Sequence, residues 1–173
     1  VHATVIDMGL ERVRTVWLRM NSALPSSTVV FTVGGTNGKG STCKYLEQTL
    51  LHAGYRVGMY TSPHLLNFTE RVAVQGRAVD EAMLCQGFAA VQAARLQLPE
   101  VSLSYFEFAT LAALHCFAQS RLDAVVLEVG LGRRLDAVNL IDADCAVITS
   151  VDLDHQSYLG DTRELIGYEK AHI

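Results

Sequence analysis

The chain has 173 residues, of which 50% are hydrophobic and 18% charged, with a formal net charge of −4. That size and composition suit one globular domain with a real core. The acidic balance argues against sequence-independent nucleic-acid binding, and the apolar stretches are too short and interrupted to cross a bilayer.

Leu10, Val13, Trp17 and Met20 recur at helical spacing and predict an amphipathic helix near residues 8–21. A β-branched apolar run, Thr28 to Val33, predicts the first strand. A helix over Ser41 to Ala53 follows, with Cys43, Leu46 and Leu50 on one face. Arg56 to Tyr60 reads as a second strand, residues 61–64 as a loop, and Arg71 to Gln75 as an alternating segment compatible with a strand. Asp80 is placed to cap a helix to about Leu96, which Pro99 ends. Residues 106–118 are apolar on nearly all sides, so a helix there packs on more than one face, although part of its cover is expected to be missing. Asp123 to Val129 and Cys145 to Thr149 are runs of the buried parallel-strand type. Asp161 with Glu164 resembles a capping box at the start of a last helix.

Strands alternating with helices predict an α/β fold, a mostly parallel sheet flanked by helices. The strand count is low for a complete central sheet. Cys43, Cys85, Cys116 and Cys145 are widely spaced, without a C-x-x-C, and are expected to be reduced, mostly buried thiols of a cytoplasmic protein.

Between the first strand and its helix lies Gly34-Gly35-Thr36-Asn37-Gly38-Lys39-Gly40-Ser41. Strand, glycine-rich turn, lysine and hydroxyl, then helix is an arrangement that holds nucleotide phosphates. Inward amides, the helix N-terminus and the ammonium all favour an anion. The spacing departs from G-x-x-x-x-G-K-[ST]: three residues separate Gly34 from Gly38, and Gly40 stands between Lys39 and Ser41. The alternative is a glycine-rich β-to-α turn with an exposed lysine.

Ligands in open α/β sheets bind beyond the carboxyl ends of the strands. Those ends carry Thr61, Ser62 and His64; Glu128 before Gly130-Leu131-Gly132; and Thr149, Ser150, Asp152, Asp154 and His155. They are expected to converge. Glu128 occupies the position of an acid opposite a phosphate loop, and Ser41, Ser62 and Glu128 offer the oxygen ligands magnesium prefers. The bland alternatives are a solvent-side carboxylate for Glu128, a turn hydroxyl before Pro63 for Ser62 and a structural histidine for His155. Asp152 adds a carboxylate near the expected metal.

Seven stretches in series resemble the bacterial dihydrofolate synthase/folylpolyglutamate synthases of the Mur ligase superfamily. They are GLERV at 9–13, GTNGKGS at 35–41, TSPHL at 61–65 with Glu70-Arg71-Val72, SYFE at 104–107, LEVGLG at 127–132 with RLDA at 134–137, LDH at 153–155, and EKA at 169–171. The resemblance implies the superfamily's central ATP-binding domain, incomplete here. Residues 1–173 would be its N-terminal part, without the C-terminal glutamate-binding domain. It also implies ATP-dependent addition of L-glutamate to dihydropteroate or folates through an acyl phosphate.

By the same resemblance Thr36, Asn37, Gly38, Lys39, Gly40 and Ser41 hold ATP, and Ser62, Glu128 and His155, with Ser41, hold Mg²⁺. Gly9, Leu10, Ser104, Tyr105, Phe106, Glu107, Leu135, Asp136 and Ala137 form the pterin pocket, with Tyr105 and Phe106 suited to stacking on a flat ring. Lys39, His155 and Lys170 are the catalytic candidates. Lys170 matches a lysine the family carries as a carbamate; apart from the resemblance it reads as a solvated helix lysine. No nucleic-acid or membrane partner is expected, and the full-length form is expected to be a monomer. Arg133 departs from the family by standing where it has a second glycine, Val138 replaces a threonine, and His172 replaces a glycine. The competing functions are a Mur-type ligase for another carboxylate and a non-catalytic nucleotide- or folate-binding module. A GTPase would carry an N-K-x-D, which does not occur.

Overall fold

The computed structural model describes residues 9–130, 135–152 and 162–173. Five helices and six strands are described: α1 Leu10–Met20, β1 Val29–Gly34, α2 Lys39–His52, β2 Val57–Tyr60, β3 Val72–Val74, β4 Arg77–Ala78, α3 Glu81–Arg95, α4 Tyr105–Ala118, β5 Ala124–Glu128, β6 Cys145–Ile148 and α5 Arg163–Lys170. Short 3-10 turns occupy Phe68–Arg71 and Ala137–Leu140.

The six strands form one sheet in the order β4-β3-β2-β5-β1-β6. β2, β5, β1 and β6 are parallel, and β3 and β4 add an antiparallel edge. The expected mostly parallel sheet is therefore present. Residues 71–75 contribute β3, but antiparallel to β2, and Gln75 and Gly76, both at positive φ, turn the chain from β3 into β4.

Alternation along β1 and β5 divides the core in two. Val30, Val125, Leu127 and Val129 face a large cluster with α1, α3 and α4, whereas Val33 and Val126 face a smaller one with Cys43, Leu46 and Leu50 of α2. The α2 face expected from the sequence is the buried one, and it also carries Glu47 at 0% exposure, with Lys44 Nζ 2.6 Å from Oε2.

Local chemistry fixes the helix ends. The Asp80 carboxylate accepts from Met83 N at 2.7 Å, as the sequence predicts. Arg19 donates to the carbonyls of Gln97 and Pro99 beyond the end of α3, tying α1 to that terminus. At the start of α4, Glu107 N donates to Ser104 Oγ while Ser104 N donates to Glu107 Oε2, a reciprocal capping box. The start of α5 corrects the expected cap. Thr162 Oγ1 accepts from Leu165 N, and Asp161 lies outside the described residues.

α4 does pack on more than one face, but it is not short of cover. Leu111, Ala112, Ala113, Leu114, Cys116 and Phe117 are all buried, between the sheet and α3. A Cβ on Gly87 of α3 would come 3.0 Å from Ala112 O, so these helices meet almost backbone to backbone. Cysteine exposure is also corrected: Cys43 and Cys116 are buried, Cys85 and Cys145 exposed, and all four are free thiols.

Candidate nucleotide and metal site

The site begins where β1 stops. α2 starts at Lys39, two residues earlier than the sequence suggests, so Lys39, Gly40 and Ser41 form its first turn. Gly38, the residue before it, has φ +82. Thr42 N donates to Gly38 O at 2.9 Å, so the amides of residues 39–41 precede the first helical bond and face out of the helix end. That end carries partial positive charge. Lys39 Nζ donates to the carbonyls of Gly35 and Thr36 at 3.0 and 3.3 Å, which holds an ammonium over the loop.

The far side of the loop is braced by the end of β6. Thr36 N donates to Ser150 O at 2.8 Å and Asn37 N to Ser150 Oγ at 3.1 Å. Thr149 Oγ1 donates to Asn37 O at 2.6 Å. Asp152 N donates to Thr36 Oγ1 at 3.0 Å. Gly35 sits at φ +142, where a Cβ would lie 1.9 Å from Thr149 Oγ1; only glycine fits there. Thr149 and Ser150 thus shape the loop, a role their strand-end position hints at but does not specify.

The neighbouring strand, β5, ends in Glu128, which is 5% exposed. A Cβ on Gly40 would lie 3.9 Å from Glu128 Oε2, so the carboxylate stands against the first turn of α2. On its other side Ser62 N, just past β2, donates to Oε2 at 2.9 Å. Burial pushes the Glu128 carboxyl above its usual range, opposed by the Ser62 amide and by Lys39. The adjacent Cys43 thiol is pushed up to about 12 by burial and then by the Glu128 charge. It is therefore an inert core thiol.

Glu128, the loop, Ser62 and the end of β6 converge as expected, and Glu128 is not a solvent-side carboxylate. A buried carboxylate beside hydroxyl-bearing residues is an oxygen donor set suited to Mg²⁺. His155, with Asp154, lies outside the described residues. Among the described residues no cluster of three or more His, Cys, Asp or Glu side chains is arranged to hold a metal. Asp152 does not add a free carboxylate: Arg163 Nε and Nη2 donate to its Oδ1 at 3.1 and 2.9 Å.

Lys170 is 2% exposed and shares the buried face of α5 with Ile166, four residues before it. The solvated alternative is overturned. The helix's end lies beside the loop, since Ile173 packs where a Cβ on Gly34 would fall.

The expected pterin-pocket segments gather on the opposite side of the sheet from α2. Gly9 caps α1 without a side chain, and Leu10 is the first helical residue. Arg12 Nη2 donates to Glu107 Oε1 at 2.8 Å and ties α1 to α4. The turn containing Ala137 packs on both helices, with Leu135 half-buried before it and Asp136 buried and accepting from Val138 N. Ser104 and Glu107 spend backbone and side-chain groups on the capping box, so their SYFE pattern is at least in part a helix-start signal.

Tyr105 and Phe106 do not present one stacking surface. Tyr105 is half exposed, lies edge-on to Phe68 and lines an aromatic cavity of about 400 Å³ with Phe68, Phe88, Phe108 and Ala109. Phe106 instead lies against Tyr60 and covers Gly130, where a Cβ would come 2.6 Å from its Cζ. Gly130 is two residues past Glu128, so Phe106 is the link between the two sides of the site. Arg133 and Arg134 lie outside the described residues. No described helix is long and apolar enough to cross a membrane.

Two further residues hold the loop after β2. Glu70 accepts from the amides of Leu65, Leu66 and Asn67, and Arg71 Nε donates to His64 Nδ1. The Asn67-x-x-Glu70 spacing of a capping box was the available signal.

Residues 33–173 match the model of the Mur ligase middle domain. The chain is 54% identical over 173 residues to the dihydrofolate synthase/folylpolyglutamate synthase of Escherichia coli K12, covering 100% of this chain and 40% of the relative. It is 35% identical over 177 residues to the dihydrofolate synthetase of Saccharomyces cerevisiae, covering 97% and 40%. A solved structure of E. coli FolC in complex with DHPP and ADP superposes with a TM-score of 0.92 at 54% identity, covering 99% of this chain and 40% of that one. The bifunctional folylpolyglutamate synthase/dihydrofolate synthase of Yersinia pestis complexed with AMPPNP and Mn gives 0.90 at 53%, covering 99% and 41%. The chain thus spans about 40% of the length of these relatives.

Proposed function

This chain belongs to the Mur ligase middle-domain family, and we propose that it is the ATP-binding part of a ligase that joins L-glutamate to dihydropteroate or to folates. The reading is supported above all by the Ser62–Glu128 hydrogen bond beside the first turn of α2. That bond joins the residue after β2 to the last residue of β5, next to the glycine-rich loop that follows β1.

Each residue has a job in that reaction. A pteroate or folate carboxylate attacks the γ-phosphorus of ATP, and ADP leaves with the electron pair of the broken P–O bond. The resulting acyl phosphate is attacked by the neutral glutamate amine. Phosphate departs, the amine proton is lost and an amide remains. Lys39 and the amides of residues 39–41 neutralise and orient the phosphates. Thr36 and Asn37, held by Ser150, set the loop's curvature. Glu128, Ser41 and Ser62, together with His155, are the proposed Mg²⁺ ligands; the ion supplies charge neutralisation at the γ-phosphate. Gly9, Leu10, Arg12, Ser104 to Glu107 and Leu135 to Ala137 border the proposed pocket for the flat pterin, where Phe106 covers Gly130, two residues past Glu128.

Lys170 is proposed to carry a carbamate. Its neutral amine adds to CO₂ with loss of a proton, giving an N–C bond and a negative charge. Its burial supports this, because a buried amine is favoured in its neutral form, the form that adds to CO₂. The full-length protein is proposed to be a cytoplasmic monomer, acting on small molecules rather than on nucleic acid or membranes, with residues 1–173 as its N-terminal ATP-binding domain.

Phosphate release from ATP tests the reading. A longer protein carrying this domain should release phosphate only when dihydropteroate (or a folate) and L-glutamate are both present. Release that ignores both acceptors, or glutamylation without ATP consumption, contradicts it.

A further inference from the structure

Residues 61–71 leave β2 and return to β3 as a closed loop. Thr61 N donates to Arg71 O at 2.9 Å and shuts its neck. Burial does not hold the middle of this loop, for Leu65 and Leu66 are 89% and 86% exposed. A single side chain does. Glu70 Oε2 accepts from Leu65 N at 2.8 Å, and Oε1 accepts from Leu66 N at 3.0 Å and Asn67 N at 2.6 Å. Three consecutive amides converge on one carboxylate, and bonds to an ionised acceptor are stronger than neutral ones. These amides hold the Glu70 carboxyl below the usual carboxylate range.

The same loop carries Ser62, whose amide reaches Glu128. Only Pro63 and His64 separate Ser62 from the first amide that Glu70 holds. His64 is fixed in turn by Arg71 Nε at 2.8 Å, and the Arg71 guanidinium lies over the rings of Phe68 and Tyr105 at 5.3 and 5.5 Å. The loop therefore has one fixed wall, formed by Arg71 and its rings, and one exposed span that depends on Glu70.

We infer that Glu70 is a positioning residue: its carboxylate fixes the exposed span of the 61–71 loop so that Ser62 keeps its amide on Glu128 and its hydroxyl at the proposed metal site. It touches neither nucleotide nor metal and acts through the backbone. The metal half of this inference rests on the function proposed above; the loop half rests on hydrogen bonds alone.

Amide hydrogen exchange and metal titration of Glu70→Ala and Glu70→Gln test the two halves separately. In Glu70→Ala the Ser62 amide should exchange roughly tenfold faster or more, while Thr32 and Val126 in the central strands keep their rates. Glu70→Gln retains one acceptor oxygen and should fall between, and it stands in if the alanine variant does not fold. With AMPPNP present, Mn²⁺ affinity should drop about tenfold, the scale seen when a residue orienting a metal ligand is lost. Affinity for AMPPNP without metal should stay within about twofold, a split that general destabilisation does not produce. Unchanged Ser62 exchange with faster Leu65 to Asn67 exchange overturns the inference and leaves Glu70 as a turn stabiliser. Equal loss of metal-dependent and metal-free binding also overturns it. If the unsubstituted chain binds no Mn²⁺, the proposed function fails while Ser62 exchange still decides the role of Glu70.

Discussion

Ser62 N donates to Glu128 Oε2 at 2.9 Å, joining the residue that follows β2 to the last residue of β5. The carboxylate is thereby held between a backbone amide and the first turn of α2, in a place that solvent scarcely reaches. An ionised group is costly there without a cation, which supports the proposed role of Glu128 in binding rather than in folding.

Glu128→Gln separates these two roles. The glutamine keeps an acceptor for Ser62 N and removes a desolvated charge. The unliganded protein should lose no stability at pH 7, with a change of about 0–1 kcal/mol in the favourable direction. Mn²⁺ binding should weaken at least about tenfold. Thermal melting with and without Mn²⁺ checks both.

Gly35 and Gly40 should respond oppositely to alanine. At Gly35 the φ of +142 and the 1.9 Å approach to Thr149 Oγ1 leave no room, and Gly35→Ala should cost about 2 kcal/mol or more. At Gly40 the new methyl would stand 3.9 Å from Glu128, an ordinary contact, so Gly40→Ala should fold normally. Denaturant unfolding of the two variants makes the comparison.

Thr149 Oγ1 braces the loop through Asn37 O at 2.6 Å. Thr149→Val keeps the shape and deletes the donor, so stability should fall by about 1 kcal/mol. Nucleotide affinity should fall severalfold by titration, because the loop loses its support rather than its ligand contacts.

His115 supplies the pH dependence. Its Nδ1 lies 2.8 Å from Ser22 Oγ, and burial lowers its pKa below the ordinary value of 6.5. The folded state thus binds this proton less readily than the unfolded chain. Stability from the neutral ring is fully present above about 6.5 and is lost as pH falls through the lower folded value. The urea midpoint should drop between pH 7.5 and 5.5, and His115→Gln should flatten that part of the profile.

Much of this architecture was legible in the sequence. A β-branched run followed by glycines and a lysine specifies β1, the loop and α2, because strand propensity and left-handed turn chemistry are local. Asp80 announced α3 for the same reason. The alternation at Arg71 to Gln75 showed β3 but not its direction, which the 61–71 loop sets, and β4, with two residues after the turn at Gln75 and Gly76, is too short for periodicity to show. Glu107 was legible as a cap through Ser104-x-x-Glu107, a pattern that coincides with the stretch the resemblance gives to the pterin pocket. The burial of Glu47 and Lys170 was not legible. Each sits on a helix face with apolar neighbours, but a charged residue on such a face is ordinarily solvated, and only tertiary packing decides otherwise.

The central claim is that the loop at Gly34 to Ser41, backed by Glu128 and Ser62, holds a nucleoside triphosphate with a divalent cation. Calorimetric titration of AMPPNP with Mn²⁺ into the unsubstituted chain and into Lys39→Ala tests it most directly. Binding to the unsubstituted chain that strengthens with Mn²⁺ and weakens at least about tenfold in Lys39→Ala, with its melting temperature retained, is the expected result. Equal affinity in the two proteins, or no dependence on Mn²⁺, would contradict it.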